Sequence, residues 1–305
     1  MNILVTGAFK YSDGQISTIK DLGFNVFYLQ EEKNELPCSA QSIDAVVGNG
    51  IFLYHKIEDF TELKFIQLTS AGFDRIPMEY VKSHGIQIYN ARGVYSIPMA
   101  EWAISNVLDI YKRTGNFRKK QDCHEWKKQR DLIEINAKKV GILGAGNIGQ
   151  EVAKRFSAFG AHVVGFDVKS FKHPYFDDLR LISELEQYLP YLDIVVLTLP
   201  LLDSTRHLLT YERLQQMKDH SILVNISRGA IIDEKALVQS LFNGKPGYAA
   251  LDVFEEEPLS IDSPLWNMPN VFVSPHNSFV SDGNSERMFN VILSNLKAFI
   301  SKIQY

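Results

Sequence analysis

Cysteine is nearly absent from this 305-residue chain, where only Cys38 and Cys123 occur. A disulfide framework is thereby excluded as the source of stability, and a reducing, cytoplasmic setting is expected. A basic excess is missing as well. Lys and Arg total 32 against 36 Asp and Glu, a formal net charge of −4, which removes the electrostatic basis for nucleic-acid binding. Long hydrophobic runs are lacking too. The longest nearly apolar stretch, residues 194–202, falls far short of the roughly 20 residues that span a bilayer, so no membrane association is expected. The opening MNILVTGAFK has no charged leader and no long apolar core, and reads as a β-strand rather than a signal peptide. No solenoid repeat, G-x-S-x-G elbow or chelating His/Cys spacing occurs, so serine-nucleophile chemistry and a metal site are not expected. What remains is 45% hydrophobic and 22% charged residues, over a length that holds about two ordinary domains.

Short β-branched runs recur along the chain, each followed by a turn and a helix-like stretch. In the first third they fall at residues 3–5, 26–29, 45–47, 65–68 and 86–89. Later they fall at 140–143, 163–166, 194–198, 222–226, 249–253 and 271–274. These runs are apolar throughout rather than alternating, as expected of parallel strands covered on both faces. Strands alternating with helices predict two α/β units. Between them Ala100, Ala103, Ile104, Val107, Leu108 and Tyr111 mark one helical face, with Ser96 and Pro98 near the start and Gly115 as the stop. The polar, basic stretch 118–130, holding Trp126, reads as a solvated arm, a subunit contact or a reach toward a neighbouring active site.

Residues 140–143 run into Gly144-Ala-Gly146-Asn147-Ile148-Gly149, a G-x-G-x-x-G immediately after a strand. The helix it opens carries Ile148, Val152, Phe156 and Phe159 on one side, and Gly160 ends it. Gly144 would permit the tight turn, Gly146 the approach of a pyrophosphate, and Gly149 close packing of helix on strand. The helix N-terminus favours the negative charge. Asp167 ends the next strand, eighteen residues after Gly149. An acid there accepts hydrogen bonds from both adenosine ribose hydroxyls and repels a 2′-phosphate, which favours NAD over NADP. Lys169 is the nearby cation that leaves this preference open. Gly7 also follows a strand but lacks the second and third glycines, so the dinucleotide fingerprint begins in mid-chain.

In open parallel sheets ligands bind beyond the carboxyl ends of the strands. Those ends are chemically marked here: Leu199-Pro200 with Thr205 following, Ser227-Arg228-Gly229, Asp252 continuing to Glu257-Pro258, and Pro275-His276. An Arg, a Glu and a His at three separate ends suit an acid–base site beside a bound anion.

Taken in order, Asn225-Ile-Ser-Arg228-Gly-Ala, then Leu251-Asp252-Val-Phe-Glu-Glu-Glu257-Pro258, then Ser274-Pro-His276 resemble the signature of the NAD-dependent D-2-hydroxyacid dehydrogenase family. The glycine fingerprint, Asp167, Ser70-Ala-Gly72-Phe-Asp74 and Met99-Ala-Glu101 fit the same pattern, so the resemblance covers nearly the whole chain. Asn277-Ser278 departs from the small Gly/Ala residues common after the histidine, and Arg92 stands in the usual inter-domain Asn-x-x-Gly segment.

The resemblance implies hydride transfer between the nicotinamide and C2 of a small 2-oxo or D-2-hydroxy acid. His276 would be the acid–base, since imidazole titrates near neutrality. Glu257 would hold it and favour its protonated form. Arg228 would clamp the substrate carboxylate or carbonyl oxygen with its planar fork. NAD would be bound by Gly144, Gly146, Asn147, Ile148, Gly149, Asp167, Pro200, Thr205, Ser227 and Asp252, although a strand-end Asp capping a turn is a competing reading of Asp252. The backbone N–H groups of Ser70, Ala71 and Gly72 would take the substrate carboxylate, and Arg75, Arg92 or Tyr95 would read the variable group.

The implied fold is α/β with two doubly wound domains: a discontinuous, flavodoxin-like substrate domain of residues 1–94 plus 281–305, and an inserted Rossmann domain of residues 95–280. The last helix, 285–300, would return to the first domain, leaving a cleft where His276 and the 70–72 loop meet over substrate. A homodimer through the dinucleotide-binding domain is expected, and amino-acid feedback through an appended regulatory domain is not. The alternative is a dinucleotide-sensing scaffold like the corepressors of this family, which usually carry extra terminal segments. Formate dehydrogenase shares the fold but has Gln where Glu257 stands.

Overall fold

The computed structural model describes residues 1–7 and 9–303; Ala8, Gln304 and Tyr305 lie outside the described residues. The chain divides into two compact units, Met1–Val94 with Ser281–Tyr305, and Tyr95–Val280.

The first unit begins β1 (Asn2–Thr6), α1 (Asp13–Asp21), β2 (Asn25–Leu29) and β3 (Ala45–Gly48), then β4 (Phe65–Leu68), α2 (Met78–Ser83) and β5 (Gln87–Tyr89). Its parallel sheet has the order β2-β1-β3-β4-β5, the flavodoxin-like order that reverses between β1 and β3. Ile3, Leu4 and Val5 are buried in succession, as are Ala45, Val46 and Val47, so both faces of these strands are covered. Helix α1 starts on a capping box: Gln15 N–H donates to Ser12 Oγ at 3.2 Å, and Ser12 N–H donates to Gln15 Oε1 at 3.0 Å.

The second unit contains α3 (Ser96–Lys112), α4 (Thr114–Asp122), β6 (Lys139–Leu143), α5 (Asn147–Ala158), β7 (His162–Asp167) and β8 (Asp178–Leu181). It continues with α6 (Leu185–Tyr188), β9 (Ile194–Leu197), α7 (Tyr211–Gln216), β10 (Ile222–Asn225), α8 (Glu234–Phe242), β11 (Tyr248–Leu251) and β12 (Val271–Val273). The seven parallel strands run β12-β11-β10-β9-β6-β7-β8, a Rossmann order whose reversal lies between β6 and β9. Successive strand residues enter different cores. Ile194 and Val196 pack with α3 and α5 residues such as Val107 and Phe156, whereas Val195 and Leu197 pack with Leu214 and Leu237 from α7 and α8. That division is the physical content of strands that are apolar without alternation.

The last helix, α9 (Asn284–Ile303), returns to the first unit. Phe299 packs at a tilt against Phe65 of β4 with 4.9 Å between ring centres, and Asn295 Nδ2 donates to the fully buried Gln67 at 2.7 Å. Arg287 Nε donates to Val94 O at 2.8 Å, closing the unit where the chain leaves it.

Several sequence expectations are corrected. Helix α3 ends not at Gly115 but at Lys112, where Arg113 enters the left-handed region at φ 52°. Gly115 instead lies inside α4, so part of the 118–130 stretch is helical, although α4 buries no residue. Strand β8 was not expected. It is an edge strand with two charged residues in four, and therefore lacks the apolar run that marks its neighbours. Phe159 lies just past the end of α5 and is 46% exposed, so it does not extend the buried face of Val152 and Phe156. Cys38 and Cys123 are free thiols. Among the described residues no helix is long and apolar enough to cross a membrane.

Candidate active site

The glycine turn follows β6, at the reversal of strand order. Gly144 adopts φ 101°, where L side chains are strained, and a Cβ there would lie 2.9 Å from the backbone of Thr198 and Leu199. A Cβ on Gly149 would lie 1.9 Å from Gly144 O, so α5 can sit on the turn only with glycine at that position. Gly146 differs, because a Cβ there would meet open space. Its hydrogen is not demanded by the protein, which is what a surface shaped for a close ligand looks like. Gly146 is also the N-cap of α5 and supplies no side-chain cap, so the first N–H groups of the helix lack the usual capping oxygen. An anion such as a pyrophosphate fits that end.

Asp167 ends β7 and turns back toward this loop. Its Oδ2 accepts from Ala145 N–H at 2.7 Å and its Oδ1 from Val168 N–H at 2.7 Å. Each carboxylate oxygen keeps further acceptor capacity for a ribose hydroxyl. Asn147 and Ile148 lie in the first turn of α5. Thr205 Oγ donates to Pro200 O at 2.7 Å and accepts from Leu202 N–H at 2.8 Å, which folds the turn after β9. These residues are therefore gathered around one end of the sheet, and the set fits a dinucleotide.

The loop after β10 is built by Asn225, fully buried at the strand end. Its Oδ1 accepts from Ser227 N–H at 3.1 Å and from Ser227 Oγ at 2.9 Å, while its Nδ2 donates to Arg228 O at 3.0 Å. Arg228 Nη1 donates to Ser227 O at 2.7 Å, which orients the guanidinium. Gly229 follows because a Cβ there would lie 1.8 Å from the Phe254 carbonyl carbon. The Arg228 loop thus packs directly on the segment that carries Glu257.

Glu257 and His276 meet, the pairing that the family resemblance implied. Glu257 Oε1 accepts from Phe254 N–H at 3.1 Å, and Oε2 lies 2.8 Å from His276 Nδ1. A carboxylate can only accept, so Nδ1 carries the proton and Nε2 is left to exchange one. His276 adopts φ 49°, an uncommon conformation for a residue with a side chain. Asp252 explains how it persists. This carboxylate is fully buried, and Oδ1 accepts from Ser274 Oγ and from Asn277 N–H at 2.7 Å, while Oδ2 accepts from Ser278 N–H at 2.9 Å. Its backbone O accepts from His276 N–H at 2.8 Å. Asp252 grips both sides of the histidine, which is the turn-capping arrangement.

One neighbour of His276, Phe279, was missed from sequence, whereas Tyr95 was expected only as a reader of the variable group. Phe279 stands edge-on to the imidazole with 6.0 Å between ring centres, and Tyr95 stands edge-on to Phe279 at 5.6 Å. Burial pushes the Tyr95 hydroxyl up to about 12, so it is a neutral wall at physiological pH. The signal available was an aromatic three residues beyond the histidine, which means nothing until the loop geometry is known. Asn225 was quoted only as part of a motif, and its role as the scaffold of the Arg228 loop follows from its hydrogen bonds.

In the first unit, the 70–72 loop follows β4. Ala91 N–H donates to Ser70 O at 2.9 Å, Asn90 Nδ2 to Ala71 O, and Ser70 Oγ to Gly72 O at 3.0 Å. The three carbonyls are thus engaged, whereas the N–H groups of Ser70, Ala71 and Gly72 face no acceptor among the described residues. A loop with satisfied carbonyls and open N–H groups suits a carboxylate.

Comparison with known proteins agrees with this geometry. The profile of the D-isomer specific 2-hydroxyacid dehydrogenase NAD binding domain matches residues 104–278. The chain is 32% identical over 246 residues to a glyoxylate/hydroxypyruvate reductase of Arabidopsis thaliana, covering 78% of this chain and 74% of the relative. It is 36% identical over 246 residues to a glyoxylate reductase of Aeropyrum pernix, covering 78% and 73%. Among solved structures, a glyoxylate reductase from Paecilomyes thermophila superposes with a TM-score of 0.83 at 27% identity, covering 99% of this chain and 95% of that one. The chain belongs to the D-isomer specific 2-hydroxyacid dehydrogenase family and is an NAD-dependent enzyme of that family.

Proposed function

We propose that the protein reduces a small 2-oxo acid to the D-2-hydroxy acid, with His276 as acid–base, Glu257 as its orienting carboxylate and Arg228 as the substrate clamp. The observation that carries this reading is the 2.8 Å Glu257–His276 contact, made through Nδ1 so that Nε2 stays open. NADH, when bound at the glycine turn, supplies the hydride that reaches C2. In that direction protonated His276 gives its Nε2 proton to the carbonyl oxygen, while Glu257 holds the ring by Nδ1. In the reverse direction neutral His276 accepts the hydroxyl proton at the same atom. Arg228, oriented by Ser227 O, brings its planar guanidinium to the carbonyl oxygen or carboxylate. The N–H groups of Ser70, Ala71 and Gly72 take the carboxylate, the group common to every 2-oxo acid. Gly144, Gly146, Asn147, Ile148, Gly149, Asp167, Pro200, Thr205 and Ser227 form the NAD site, and Asp167 favours NAD over NADP.

The names of the relatives point to glyoxylate and hydroxypyruvate as substrates. NADH oxidation with glyoxylate, hydroxypyruvate, pyruvate and phosphohydroxypyruvate tests the reading. Steady turnover with at least one of them is expected. NADH binding with negligible turnover on all four would instead indicate a sensing scaffold. We further propose a homodimer through the dinucleotide-binding domain, supported by the arm after α3, where Trp126 is fully exposed. Light scattering that returns the mass of one chain would overturn it. The two free thiols support a cytoplasmic setting.

A further inference from the structure

His207 belongs to the loop after β9 and has no part in the chemistry above. Its N–H donates to Ala230 O at 2.8 Å, and its Nε2 lies 2.7 Å from Glu255 Oε1. Glu255 in turn is locked to the first turn of α8. Its N–H donates to Glu234 Oε2 at 3.0 Å, and Glu234 N–H donates to Glu255 Oε1 at 3.3 Å. Burial pushes the Glu234 carboxyl above the usual carboxylate range, and the charges of Glu255 and Glu256 add to the rise. Three acidic side chains therefore crowd this corner, and the histidine contributes the donor that holds Glu255 among them.

Glu255 lies in the four-residue segment that also carries Glu257. The Phe254 end is jammed against Gly229, and Phe254 N–H fixes one oxygen of Glu257. Glu255, between them, is fastened by His207 to the loop after β9 and by Glu234 to the first turn of α8. Freed from His207, its carboxylate would remain beside Glu234 and Glu256 with repulsion and fewer donors. The segment would then shift, and Glu257 would lose its register on His276.

We propose that His207 is a positioning residue for the acid–base pair: by holding Glu255 it fixes the 254–257 segment and so keeps Glu257 against His276. The inference rests on the assignment of His276 as acid–base, and a mutant cycle separates the two. In the full-length protein, kcat is measured for His207→Ala, His276→Ala and the double variant, with the best substrate of the panel above. His207→Ala is expected to lower kcat about 10-fold, a modest share of the ~10²-fold that a 1 Å misplacement can cost. NADH affinity, read by fluorescence titration, should stay within about twofold, because the glycine turn is untouched and the Thr205 bonds to Pro200 O and Leu202 N–H do not involve His207. His207→Gln, whose amide N–H can still donate to Glu255, should recover most of the loss. In the His276→Ala background, adding His207→Ala should change kcat by less than about twofold, since the histidine that Glu257 is kept against is gone. Glu255→Ala should show the same non-additivity from the other side of the contact. Wild-type kcat in His207→Ala, or an undiminished loss in the double variant, overturns the positioning role while leaving His276 as acid–base. Unchanged kcat in His276→Ala overturns the acid–base assignment and the inference with it.

Discussion

Replacing Asp252 with Ala should cripple the enzyme through its fold rather than through its cofactor. The carboxylate accepts from Ser274 Oγ, Asn277 N–H and Ser278 N–H, and it is fully buried. Truncation leaves two backbone N–H groups without an acceptor, at about 1–3 kcal/mol each. Asn277 is exposed and can recruit water, whereas Ser278 is buried and cannot do so readily. The sum should therefore fall near 3 kcal/mol, in the lower half of the roughly 2–6 kcal/mol that two such groups could cost. At about 2–4 °C per kcal/mol for a unit of this size, the melting midpoint should fall by roughly 6–12 °C. The same hydrogen bonds hold His276 at φ 49°. Loosening that turn by about 1 Å is expected to cost on the order of 10²-fold in kcat. Asp252→Asn keeps one acceptor oxygen but sets an amide donor against a backbone donor, so it should lie between wild type and Asp252→Ala. Differential scanning fluorimetry and NADH-oxidation kinetics check both effects. A normal midpoint with normal kcat and weakened NADH binding would refute the reasoning and make the carboxylate a cofactor ligand.

The other expectations follow from the same geometry. His276→Ala should lose about 10²–10⁴-fold in kcat while retaining NADH binding, read by fluorescence titration. Gly149→Ala and Gly146→Ala should separate. The first forces a Cβ within 1.9 Å of Gly144 O and lowers both melting midpoint and NADH affinity; the second meets open space and lowers affinity alone. Alkaline stability should also be limited by buried tyrosines. Tyr95 is pushed up to about 12, and burial with the nearby Asp193 charge raises Tyr111 further. Because the folded forms hold their protons above the unfolded value of about 10, stability is complete below that pH and falls as pH rises toward 12. Tyrosinate absorbance and circular dichroism should change together over that interval. Tyrosine ionisation with the fold intact would contradict this.

Much of the architecture was legible because its causes are local. Continuous apolar runs such as 194–198 mean burial on two faces wherever the partners come from. The Gly144–Gly149 spacing encodes a turn whose tightest demand, Gly149 against Gly144 O, lies within the motif itself. The edge strand β8 was not legible for the converse reason: with one neighbour it needs no continuous apolar surface. The end of α3 was misplaced because Arg113, not a glycine, takes the left-handed conformation.

The chemistry divides in the same way. Composition and pattern settled that this is a parallel α/β protein with a dinucleotide turn in mid-chain and charged residues at strand ends, since each is a property of neighbouring residues. Which side chains meet was decided by tertiary structure. The parallel register of β11 with β12 pairs Leu251 with Val273, and so brings Asp252 to the Ser274–Ser278 loop and Glu257 to His276. Residues about twenty positions apart become partners only when packing sets that register. The same holds for Gly229 on Phe254 and for His207 on Glu255, contacts between loops that share nothing in sequence except the sheet beneath them.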